Sequence, residues 1–229
     1  NVDDWGVYKN EGEALFFTVK KINSKASRVT IYDNNWKKKT SWSIPSEGKL
    51  NIAVGDVVGG DDIEVVLSPK YSTDWAWRIY DRAGKKQNEY LLSDSHQGVS
   101  IGLSPKVGVK KAQITILYQN NGNLKLMPFG DDLKETTAIR ITTLKSRGEL
   151  VVGDVDGYGQ IEYVLSGTNG EGSYAAVYNS SGKYKRKFKL SAFSDMFDLQ
   201  LGDYDKDGKD EIFTAPLSAS GPVQVWTYR

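Results

Sequence analysis

The chain has 229 residues, no cysteine, a single histidine and a net charge of +1. That composition excludes disulfide stapling, thiol chemistry and histidine-built metal sites, and the balanced charge creates no global field toward nucleic acid or an anionic membrane. No apolar run approaches the ~18–20 residues that a membrane-spanning helix needs.

Taken in chain order, the first segment (1–47) runs from Gly6-Val7 through Gly12 to Leu15-Phe16-Phe17, then to Val29-Thr30-Ile31-Tyr32-Asp33. Trp36 follows among Lys37, Lys38 and Lys39, in a turn expected at an exposed outer rim where lysines discourage strand pairing. The second segment (48–96) reads as four strands, at 50–54, 63–68, 75–80 and 87–93. Gly84, in the turn 81–85, supplies the positive φ that a tight hairpin demands. In the third (97–145), Asn121-Gly122 is a turn signal, and Asn169-Gly170 repeats it in the fourth (146–194). The last segment (195–229) ends on Val225-Trp226-Thr227. No sustained helical periodicity occurs anywhere.

These segments keep one register. Gly202-Asp203-Tyr204-Asp205-Lys206-Asp207-Gly208-Lys209-Asp210-Glu211-Ile212-Phe213 falls, 49 residues earlier, on Gly153-Asp154-Val155-Asp156-Gly157-Tyr158-Gly159-Gln160-Ile161-Glu162-Tyr163-Val164. Earlier copies fall on Ser104-Pro105 through Gln113-Ile114-Thr115, on Gly55-Asp56 through Glu64-Val65-Val66, and on the opening glycines. The aromatic positions Tyr32, Tyr80, Phe129 and Tyr178 are again 48 or 49 apart. Four short strands repeated at a period near 50 predict an all-β propeller in a single domain, of five blades. The fifth copy stops after its third strand, so the last blade is expected to be thin. Membership in a larger ring is the alternative. A chain that begins at Asn1 reads as a processed or excised piece of a larger polypeptide.

The acidic stretches carry the chemistry. Alternate aspartates in a tight loop converge on one point, and Gly208 permits the reversal that brings Glu211 to meet them. Oxygen ligands at that density suit Ca²⁺. An EF-hand would place its bidentate acid at the twelfth position, which is Thr214, between two helices. Neither condition holds.

The pattern G-D-x-D-x-D-G-x-x-E-I, followed by a strand and I-Y-D-x-x-G-K, resembles the FG-GAP (VCBS-type, integrin α-subunit-like) β-propeller repeat across nearly the whole chain. That resemblance implies Ca²⁺ in the loop between the first two strands of a blade. It implies Asp203, Asp205, Asp207, Glu211 and the Lys209 carbonyl as ligands in the fifth copy. In the fourth it implies Asp154, Asp156, Glu162 and the Gln160 carbonyl, with Tyr158 in place of the middle carboxylate. The second keeps Asp56 and Glu64 but has Val58 and Gly60 at the third and fifth positions, with Asp61 or Asp62 as the compensating acid. The third and first carry no ligand set and should be empty.

The resemblance also implies an extracellular or cell-surface binding or adhesion module with a protein or glycan ligand, no nucleic acid and no membrane insertion. Tyr71 and Trp75, in a loop between the second and third strands, are candidate contacts, because exposed aromatics carry binding energy. Trp77 shares a face with Ile79 and reads as core. A carbohydrate-active enzyme is the competing expectation, with Glu149 and Asp198 as its carboxylates. They occupy equivalent positions beside the channel, whose counterparts Asn51 and Ser100 are uncharged. An inert structural spacer is the third.

Overall fold

The computed structural model describes residues 3–10, 13–60, 62–70, 76–91, 96–104, 111–145, 148–191, 196–216 and 222–228. Among these are strands and turns and no helix. The strands form five antiparallel sheets in sequence order. The first holds β1 (Asp4–Asn10), β2 (Glu13–Asn23), β3 (Ala26–Tyr32) and β4 (Lys38–Pro45). The second holds β5 (Lys49–Gly55), β6 (Glu64–Lys70), β7 (Ala76–Tyr80) and β8 (Lys86–Leu91), and the third β9 (His96–Leu103), β10 (Ile114–Asn120), β11 (Asn123–Pro128) and β12 (Ile139–Ile141). The fourth holds β13 (Leu150–Gly153), β14 (Glu162–Thr168), β15 (Ser173–Asn179) and β16 (Tyr184–Ser191). The fifth has three strands, β17 (Phe197–Gly202), β18 (Glu211–Pro216) and β19 (Gln224–Trp226). In every sheet consecutive strands are neighbours, so each is a simple meander.

Burial explains why the middle strands lack alternation. β14 and β15 are buried along almost their whole length, because the fourth sheet is covered on both faces by its neighbours. Val65 and Leu67 face the first sheet, packing with Phe17, Val29 and Ile31. Val66 faces the other way, toward Ile114 and Ile116 of the third. Leu124 and Leu126 meet Leu165 and Tyr174 of the fourth, whose opposite face joins Val164 and Val177 to Leu199 and Ile212 of the fifth. Four apolar layers therefore join five sheets; among the described residues none joins the fifth to the first. Trp77 is core, as its strand alternation predicts, and stacks on Tyr90 at 4.1 Å.

The first strand of each sheet, β1, β5, β9, β13 and β17, lines one central cavity. Five radially repeated meanders around a channel make a five-bladed β-propeller with a three-stranded last blade.

Local chemistry repeats with the blades. The turn between the third and fourth strands puts one residue at positive φ in each complete blade: Trp36, Gly84, Leu133 and Gly182. Trp36 is exposed as expected and stacks on Phe16 at 4.6 Å. Neighbouring blades are tied at their acidic loops by equivalent backbone bonds. Ala112 N–H donates to the Asp56 carbonyl at 2.7 Å, and Asp210 N–H to that of Asp154 at 2.8 Å.

Candidate metal loops and the channel mouth

The fifth acidic loop connects β17 to β18. Lys206 and Gly208 both turn at positive φ, which folds the loop back so that Glu211 rises beneath the aspartates. One oxygen from each of Asp203, Asp205 and Glu211 lies within 4.8 Å of the others. Glu211 is 3% exposed, and its Oε2 accepts Tyr204 N–H at 2.8 Å. Its Oε1 is buried with no hydrogen-bond partner. A buried carboxylate oxygen without a donor is costly, and here it belongs to a cluster of hard oxygen donors. The residues present fit a calcium ion. Asp203 and Asp205 each accept a loop N–H, from Gly208 and Asp207, both at 3.2 Å. Asp207 stands outside the triple, with Oδ1 on Lys209 N–H at 2.9 Å. The Lys209 stem packs over Gly157 of the fourth loop, where an added Cβ would meet its Cγ and Cε at 2.7 Å.

The fourth loop repeats this geometry, with Asp154, Asp156 and Glu162 oxygens within 4.8 Å of one another. Its electrostatics differ. The Lys185 ammonium, from β16, donates to Asp156 Oδ2 and, at 2.9 Å, to Glu162 Oε1. Asp154 is capped by Gly157 and Gly159 N–H, each at 2.7 Å. Burial pushes the Glu162 carboxyl up although Lys185 pulls it down. Burial lowers Lys185 itself, but its two carboxylate bonds outweigh that and hold the ammonium above its usual range. Tyr158, in the middle-carboxylate position, is 84% exposed, and Gln160 is exposed beside it.

In the second loop Asp56 and Glu64 are buried, at 3% and 4% exposure, and burial pushes Glu64 upward. No third described acid joins them. All three loops share one bond: the glutamate Oε2 accepts the N–H of the residue after the first aspartate. The pairs are Glu64 with Val57 at 2.9 Å, Glu162 with Val155 at 3.2 Å, and Glu211 with Tyr204. The glutamate therefore closes the loop whatever faces its other oxygen. In the first blade β1 pairs with β2 as far as Asn10 and Glu13, and residues 11 and 12 lie outside the described residues. Residues 105–110 of the third loop lie outside the described residues, as do Tyr71 and Trp75.

At the channel mouth the structure brings Glu149 and Asp198 to the wall of one 210 Å³ cavity and adds groups that the sequence reading missed. Glu149, 7% exposed, binds the Lys70 ammonium at 2.5 Å and Ser100 Oγ at 3.0 Å. Asp4 lines the same cavity, accepting Ile52 N–H of the next blade at 2.8 Å. Desolvation, reinforced by the Glu149 charge, pushes the Asp4 carboxyl up to about 7. Burial and Glu149 likewise raise Asp198. Asp4 escaped notice because the 49-residue ruler sets Val2, not Asp4, opposite Asn51; the shortened first hairpin slips the register by two. Lys70 sits at the far end of a different strand and leaves no periodic signal.

No family model matches the chain, and no curated protein matches it. Solved structures do. The Dos1 propeller superposes with a TM-score of 0.58 at 14% identity, over 99% of this chain and 56% of that one. The fold is that of a β-propeller. A GH43 β-1,3-galactosidase solved with galactodeoxynojirimycin gives a TM-score of 0.58 at 12% identity, over 93% of this chain and 84% of that one. A mutant of AofleA from Arthrobotrys oligospora gives 0.60 at 12% identity, covering 96% of this propeller and 66% of that chain. This propeller thus spans about half the length of the Dos1 chain.

Proposed function

We propose that this chain is a calcium-stabilised propeller of the FG-GAP type, serving as a non-enzymatic binding or adhesion module of a surface or secreted protein. The observation that supports it is the buried, unpartnered Glu211 Oε1 on an acid that clusters with Asp203 and Asp205. A Ca²⁺ held by these residues would satisfy that oxygen and tie the inner strand β17 to β18. The ligand, a protein or a glycan, is assigned to the loops that carry Tyr71 and Trp75. Two measurements test the reading. Chelator should lower the unfolding temperature, and Asp205→Ala should abolish that response. Tyr71→Ala and Trp75→Ala should each reduce the signal on a glycan or protein array; an unresponsive melt together with a blank array would end this reading.

A second reading, a carbohydrate-active enzyme, is favoured by one observation: Asp4, with its raised pKa, shares a cavity with Glu149 and Asp198. Glycoside hydrolysis pairs a protonated carboxyl with an ionised one. Each acid, however, is already engaged in the wall: Glu149 by Lys70 and Ser100, Asp4 by Ile52, Asp198 by Leu199 N–H at 3.0 Å. Release of nitrophenol from aryl glycosides, lost in both Asp4→Asn and Glu149→Gln, would establish the enzyme. No release by the folded parent chain leaves the binding module.

A further inference from the structure

Two acidic loops bring an equivalent acid triple together, but only one of them is entered by a lysine from another strand of its sheet. We propose that Lys185 is the resident cation of the fourth loop, so that this loop is a latent calcium site held shut by the chain's own ammonium. The inference rests on the calcium reading of the fifth loop but concerns a different set of ligands.

Three observations carry it. The Lys185 ammonium bonds the two carboxylates that a metal would need most, Asp156 and Glu162, whose side chains are 5% and 1% exposed. It thereby partners Glu162 Oε1, the atom whose equivalent in the fifth loop, Glu211 Oε1, is bare. The third acid is also engaged, with both Asp154 oxygens on backbone N–H groups. An ammonium in this place performs the electrostatic task of a metal, compensating buried negative charge, without requiring six to eight oxygens. Tyr158 fits the same picture. A metal site would use a carboxylate there, whereas the exposed phenol shows a position that the loop leaves to solvent.

The lysine can leave. Its side chain is 23% exposed, and it reaches the loop from β16, two strands away from β14. The fifth sheet consists of β17, β18 and β19, with no strand in the place of β16 among the described residues. What faces the glutamate Oε1 in the fourth loop is therefore set by a residue of the outer strand β16.

Calcium titrated calorimetrically into the full chain tests this. The parent should bind one equivalent, lost in Asp205→Ala and unchanged in Asp156→Asn. Lys185→Met should bind two, and Lys185→Met with Asp205→Ala should keep one. A parent that binds two equivalents, one of them lost in Asp156→Asn, overturns the proposal. So does a folded Lys185→Met that binds no more than the parent. If the parent binds none and Lys185→Met binds one, the fifth-loop reading fails while this one stands. Should Lys185→Met not fold without metal, the parent and Asp156→Asn titrations still decide. Lys185→Arg, which keeps the charge, should behave as the parent.

Discussion

The fourth and fifth acidic loops follow one pattern of residues and close by the same glutamate–backbone bond, yet their carboxylates face different things. In the fourth, Lys185 supplies one positive charge from within the chain to two of the three carboxylates. In the fifth, a buried oxygen of Glu211 has no hydrogen-bond partner, and the acid belongs to a cluster with Asp203 and Asp205. A ligand motif therefore specifies the cradle but not its occupant. In the fourth loop the occupant comes from the outer strand β16, and among the described residues the fifth sheet has no strand in that place. The same lesson holds at the channel, where Ser100, Glu149 and Asp198 share a cavity with Asp4, and Lys70 pairs with Glu149, both from outside the repeat register.

The comparison can be broken most forcefully at Lys185. In calcium-free buffer, Lys185→Met should lower stability to urea by about 3 kcal/mol, because it strands two buried carboxylates. Added calcium should recover most of that loss. Next in size is the response of the parent to chelation. At a hundredfold excess over Kd, bound calcium contributes about 2.7 kcal/mol, or roughly 5–10 °C in Tm for a domain of this size. Asp205→Ala should erase the response, whereas Asp156→Asn should leave it intact.

A pH series sharpens the contrast further. Lys185 has a folded pKa above its ordinary value, so its stabilisation is complete below the unfolded value of 10.5 and is lost as pH rises through the folded one. The parent should therefore lose more stability above pH ~10.5 than Lys185→Met does, read from melts across the alkaline range. The smallest effect belongs to Tyr158→Asp. At so exposed a position it should move stability by less than about 0.5 kcal/mol and add no calcium while Lys185 remains. In Lys185→Met the same change should tighten the second site.

The blades were legible because their signals are local and periodic. The glycine turns, the aromatic landmarks at 32, 80, 129 and 178, and the acidic loops all recur within one strand pair, and Gly84 and Gly182 adopt the positive φ their turns require. The three strands described in the fifth sheet match the expectation of a thin last blade. What escaped was of another kind. Lys185 lies 23 residues from Glu162 and 29 from Asp156, on a strand whose outward-facing residues follow no pattern. Asp4 sits off the ruler by two positions because the first blade replaces its loop with a short hairpin. Trp36 and Leu133 hold turn positions where glycine stands in two other blades, so even a repeated conformation need not show as a repeated residue. Long-range pairings arise from folding the repeats into a ring, and a sequence ruler measures only along the chain.

The most direct test of calcium in the fifth loop is an anomalous-difference map from a crystal grown with calcium. A peak among Asp203, Asp205 and Glu211, with none between Asp156 and Glu162, is the expected result. Density for calcium in the fourth loop with Lys185 displaced, or none in the fifth, would contradict the account.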